Sequence, residues 1–147
     1  MPGPFYDCYV LATHRSSEIA ARFLDQFMPQ RRPSFDANDP AEVLGLPRSS
    51  TFSEVLQFLE ANPTRAYSMY WSNERVGPPY NAIVVFTDDG CLILGLSSAS
   101  DAQEILARQT LSDLKEFAES CWGYAGVEEP PALSRDEFVN RVQSQAE

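Results

Sequence analysis

The stretch NAIVVFTDDGCLILGLS, residues 81–97, decides the fold. Two runs rich in β-branched and apolar residues flank TDDG, and both read as strands. Gly90 supplies the positive-φ position of a three-residue hairpin loop, which sets Thr87 opposite Cys91. Side chains then sort with a period of two. One face collects Ala82, Val84 and Phe86 with Leu92, Leu94 and Leu96; the other collects Ile83 and Val85 with Cys91, Ile93 and Gly95. Both faces are apolar, so the hairpin is a central element and not a solvated flap.

Working outward, a third expected strand over 65–72 takes in AYSMYWS of the stretch AYSMYWSN (residues 66–73), and the turn-rich NERVGPPY joins it to the hairpin. Tyr67, Met69 and Trp71 alternate with Ser68, Tyr70 and Ser72, which puts the first set on the core face and Tyr70 on the other. Before it, TFSEVLQFLEAN carries the Thr51–Glu54 capping box and the apolar spacing of a helix. Residues 28–50, with Pro29, Pro33, Pro40 and Pro47, show no period and read as a long loop. Residues 17–27 read as an amphipathic helix, and FYDCYVLA near the N-terminus as a strand apolar on both faces. Beyond the hairpin, SASDAQEILARQTLSDLKEFAESCW is one helix or two, with a start signal at Ser100 and Gln103 and a break marked by Thr110. GYAGVEEPPAL reads as a loop, and Ser134 with Glu137 caps a short final helix. The expected order is β-α-α-β-β-β-α-α: a single α+β domain spanning 1–147, with helices packed on an antiparallel meander.

Charge narrows the choice of partner. Eleven bases against twenty-one acids leave a net charge of −10. The imbalance is uneven: residues 1–85 hold nine acids and seven bases, residues 86–147 twelve acids and four bases. Repulsion disfavours nucleic acid and anionic membranes, while an acidic half either simply aids solubility or steers a basic protein partner. No run reaches membrane-span length, and MPGPFYDCYV lacks the pattern of a signal peptide. The three scattered cysteines, Cys8, Cys91 and Cys121, form neither a disulfide framework nor a metal pattern. A cytoplasmic protein with reduced thiols is expected.

Catalytic signals are sparse. His14 is the single histidine, and a Cys8–His14 dyad would need an activated cysteine that a strand interior does not supply. Asp88-Asp89 could hold a divalent cation, but in TDDG such acids favour the turn by bonding their own backbone. Glu128-Glu129 could be a catalytic carboxylate pair, yet EEPP reads better as a rigid acidic loop that contacts a basic partner. No dinucleotide fingerprint, phosphate loop or serine elbow occurs. The expectation is therefore binding without turnover, with no metal and no cofactor.

AYSMYWSN, NAIVVFTDDGCLILGLS and WGYAGVEEPPALSRDEF together resemble bacterial immunity proteins, the inhibitors encoded beside polymorphic or contact-dependent toxins. The resemblance implies a compact acidic α+β module whose partner is a toxin enzyme, frequently a basic nuclease. Charge and exposure single out Tyr70, Asp88, Asp89, Glu128 and Glu129 as partner-binding candidates. The rival is a homodimeric scaffold, warranted by the second apolar face of Ile83, Val85 and Ile93 with Tyr70, which needs cover from helices or from a second subunit. A small-molecule binder comes third, with its pocket between the sheet and residues 28–50.

Overall fold

The computed structural model describes residues 5–34, 40–100 and 104–145. Its elements run β1 (Phe5–Leu11), α1 (Ser17–Phe27), β2 (Arg31–Pro33), α2 (Pro40–Val43), α3 (Phe52–Ala61), β3 (Tyr67–Asn73), β4 (Asn81–Phe86), β5 (Leu92–Ser100), α4 (Glu104–Ala118), β6 (Gly123–Val127) and α5 (Arg135–Gln145). The strands form one six-stranded sheet in the order β2-β3-β4-β5-β1-β6. Every neighbouring pair is antiparallel. The chain is α+β, with helices packed on an antiparallel sheet, as the hairpin and its flanking helices imply.

The hairpin register is the expected one. Phe86 pairs with Leu92, and Thr87 N–H donates to the Cys91 carbonyl at 3.0 Å. Gly90 closes the loop at φ 87°. On the first face Val84, Phe86, Leu92 and Leu94 are fully buried among Phe23 and Leu24 of α1, Leu56 and Leu59 of α3, and Ala107 and Leu114 of α4. Met69 and Trp71 of β3 join them, as the alternation in AYSMYWSN requires. Each such apolar side chain contributes roughly 1.5–3 kcal/mol.

The second face has its own core. Ile83, Val85, Ile93, Tyr9 and Leu11 pack with Tyr124 of β6, Ala132 and Phe138 of α5. Residues 128–134 and α5 are therefore the lid over this face, and its burial needs no second subunit. Tyr9 lies across Gly95, its cross-strand partner. A Cβ built on Gly95 would meet the Tyr9 ring at 2.4 Å and Ile83 at 2.7 Å, so only glycine leaves room for the ring.

Two segments expected as loops contain strands. β2 is three residues with a proline, and β6 is GYAGV with two glycines, so neither carries much local strand signal. Long-range pairing decides both: β6 lies on β1, and β2 on β3. The loop 28–50 also holds the single helical turn α2. β5 runs on to Ser100, so the residue expected to start a helix instead ends a strand; Gln103 lies outside the described residues. α4 passes Thr110 unbroken, because its hydroxyl donates back to the Leu106 carbonyl at 2.9 Å instead of disrupting the helix.

One side chain ties the first layer to the hairpin. The Arg15 guanidinium donates to the carbonyls of Leu59 (2.8 Å), Thr87 (2.6 Å), Cys91 (3.3 Å), Asn62 (3.0 Å) and Arg65 (2.8 Å). Those bonds use all the donors of the fork and neutralise the carbonyl end of α3. The group also sits 5.0 Å from the Phe86 ring centroid.

Two outcomes follow for stability in urea unfolding. Arg15→Ala is expected to cost about 3 kcal/mol, and Arg15→Lys to recover less than half, because an ammonium cannot span the fork. Gly95→Ala is expected to cost about 1–3 kcal/mol by driving Tyr9 off the sheet, and near-ultraviolet circular dichroism should lose the corresponding tyrosine signal.

Candidate functional site

The two acidic pairs occupy opposite ends of the sheet. Asp88 and Asp89 form the β4–β5 loop, at the Leu11 end of β1; Glu128 follows β6, at the Phe5 end. The seven-residue strand β1 separates them by about 20 Å. Tyr70 sits between, on β3 opposite Ile83 and 43 % exposed. These five residues do not form one surface.

Asp89 is engaged in folding. Its two carboxylate oxygens accept the Arg135 N–H at 3.0 and 2.9 Å, at the first turn of α5. Ser134 Oγ accepts the Glu137 N–H at 3.1 Å, and the Glu137 carboxylate accepts the Leu133 N–H at 3.1 Å. Partial burial opposes ionisation of Asp89, but bonds from Thr87 and from the Arg135 and Asp136 N–H groups outweigh it and hold its carboxyl below the usual range. Asp88 is exposed.

The Glu128–Glu129 corner is built with a residue the sequence analysis passed over. Asp7 interrupts the apolar run of β1 at a register shift, and its carboxylate accepts the Ser97 hydroxyl at 2.6 Å and the Glu129 N–H. Burial, the strongest influence, pushes the Asp7 carboxyl up, and Glu128 and Glu129 add to it. The Tyr9 hydroxyl donates to the Glu129 carbonyl at 2.6 Å. The Glu129 carboxylate lies 3.8 Å from Arg141, which also donates to the Tyr124 hydroxyl at 3.2 Å and to the Pro130 carbonyl. Glu129 is thus anchored and half-buried, while Glu128 stands exposed at φ 49°. A lone charged residue inside FYDCYVL was the available signal for Asp7.

The described residues also border several concave regions, three of which lie against Tyr70, Trp71 and Phe117. Tyr70, Tyr9, Asn81, Gly95, Ser97 and Pro131 border a small cleft of about 70 Å³ at the margin of the lid. A cavity of about 520 Å³ lies where β2, α1 and α3 meet, lined by Trp71, Phe52, Val55, Pro29, Pro33 and Arg31 among others. Between α1 and α4, Asp113, Glu116 and Glu119 face Arg22 and Gln26 across about 430 Å³, with Phe27 and Phe117 among the lining residues.

The members of the Cys8–His14 pair differ in exposure. Cys8 is fully buried, its thiol 3.5 Å from the Ser98 hydroxyl and 3.4 Å from the Ala107 carbonyl, and burial pushes that thiol up. His14 is exposed at the far end of β1. Among the described residues no group of three His, Cys, Asp or Glu could hold a metal ion.

The depressed Asp89 carboxyl sets a sign for pH dependence. Its contribution is present above the unfolded value of about 3.9 and is lost as pH falls through the folded value. Asp89→Asn is expected to cost about 0.5–1 kcal/mol at neutral pH. Urea unfolding between pH 7 and pH 2 should show the gap to the parent protein closing below about pH 4.

No protein-family model matches the chain, nor does any curated protein or solved structure.

Proposed function

We propose that this chain is a non-catalytic acidic binding module of the immunity type, which binds and neutralises a cognate basic, nuclease-like toxin domain. The observation that supports it is the α4 surface. Asp113 and Glu116 of α4 and Glu119 just past its end are all exposed, and among the described residues no ion pair engages them. Exposed carboxylates without ion pairs raise the association rate of a basic partner and compete for the surface on which a nuclease holds phosphate. Other acids, among them Asp7, Asp89, Glu129 and Glu137, are occupied by this chain's own backbone, hydroxyl and guanidinium groups.

The cavity beside Trp71 and Phe52 favours a second reading, a small-molecule binder, since its volume and apolar lining suit a drug-sized ligand. A thermal-shift screen tests that alternative, because a ligand at a hundred times its Kd stabilises by about 2.7 kcal/mol.

The immunity reading predicts that co-expression rescues growth from the toxin of an adjacent gene. It also predicts that the purified pair dissociates as salt is raised. Asp113→Lys with Glu116→Lys should slow association by about tenfold and leave the melting temperature unchanged. Failure to suppress any adjacent toxin, or a salt-independent complex, overturns it.

A further inference from the structure

The sheet has two outer edges, and they are not alike. β2 is three residues long, ends in Pro33, which has no N–H, and carries Arg31 and Arg32. Short length, proline and charge are the means by which proteins keep an edge from pairing. β6, Gly123–Val127, is five residues of GYAGV and has neither proline nor charge.

The β1–β6 register fixes which backbone groups face out. Leu11 N–H donates to the Trp122 carbonyl at 2.9 Å, and Glu128 N–H donates to the Phe5 carbonyl at 2.8 Å. Alternation along an antiparallel pair then directs Tyr124 and Gly126 inward, onto Tyr9 and Asp7. Gly123, Ala125 and Val127 point their N–H and C=O groups away from β1. No described strand lies beyond them. The Ala125 carbonyl accepts Nε2 of Gln145 at 3.0 Å, an exposed side-chain bond that a backbone donor can replace. Trp122 at 36 % and Val127 at 45 % exposure extend apolar surface at both ends of the strand.

Charge surrounds this edge. Glu119 and Glu128 bracket it, both exposed and both held at positive φ (52° and 49°), where glycine would be less strained. Glu116 is exposed on the preceding helix, and the stem of Lys115 lies over Gly123.

We propose that the outer edge of β6 accepts an extended, lysine- or arginine-rich segment of a partner protein as an added strand. Gly123, Ala125 and Val127 supply the main-chain hydrogen bonds, and Glu119 and Glu128 receive the basic side chains. A second copy of this chain fits the edge less well. Pairing two β6 strands sets two chains of net charge −10 side by side and duplicates Glu119 and Glu128 across the seam. The inference holds whether or not the partner is a toxin, so it stands or falls separately from the immunity reading.

The test uses the full ¹⁵N-labelled chain and a synthetic peptide of about seven residues, alternating lysine and valine. Peptide should shift the Gly123, Ala125 and Val127 amides and slow their hydrogen exchange at least about tenfold, leaving the inward Tyr124 and Gly126 amides unmoved. Ala125→Pro removes an outward N–H without touching the β1 ladder, so it should weaken peptide binding at least about tenfold with the circular dichroism preserved. Should that variant unfold, a peptide N-methylated at alternate residues makes the same test on the unaltered protein and should not bind. Three results overturn the proposal: no perturbation of the three amides, equal binding of the N-methylated or glutamate-substituted peptide, or a peptide-free dimer that already protects those amides.

Discussion

A hairpin that is apolar on both faces has to be buried on both faces, and the rest of the chain is arranged to meet that constraint. Strands β4 and β5 place Val84, Phe86, Leu92 and Leu94 on one side and Ile83, Val85 and Ile93 on the other, every one of them buried. Helices α1, α3 and α4 cover the first side. Covering the second falls to the C-terminal segment, where Tyr124, Ala132 and Phe138 close over Tyr9 and Ile83. The N-terminal strand enters between β5 and β6, so the first and last parts of the chain meet only after long-range pairing.

Polar groups inside this double layer are consumed in holding it. No buried side-chain nitrogen or oxygen among the described residues lacks a partner. The Arg15 fork takes five carbonyls where α3, β3 and the hairpin converge. Tyr9 and Tyr124 bury their rings and turn their hydroxyls to the lid, onto the Glu129 carbonyl and the Ala132 N–H. Burial pushes both phenols and the Cys8 thiol up, which keeps them neutral at physiological pH. What the fold leaves outward includes the carboxylates of α4 and the outer edge of β6.

Local patterns carried much of this architecture because their signals are local. The hairpin register, the Thr51–Glu54 box and the alternation that buries Trp71 and turns Tyr70 out are set by neighbouring residues, and each stands in the structure. The candidate site was less legible. Asp89 reads as a turn residue, but nothing near it in sequence announces its bond to Arg135, 46 positions away. Asp7 meets Ser97 at a separation of 90 residues, and so joins Glu128 and Glu129 instead of remaining an oddity within a strand.

The amino-acid sequence by itself determined the class of fold, the two-faced hairpin, the helix starts at Thr51 and Ser134, and the excess of acid in the second half. Periodicity, capping and net charge are properties of adjacent residues, so they need no tertiary context. Only the tertiary structure decided that GYAGV is a strand, that the second apolar face is roofed by the chain's own C-terminus, and that the two acidic pairs lie at opposite ends. Weak local propensity in a glycine-rich segment is overridden by main-chain pairing with β1, and that pairing is a relation between residues more than a hundred positions apart.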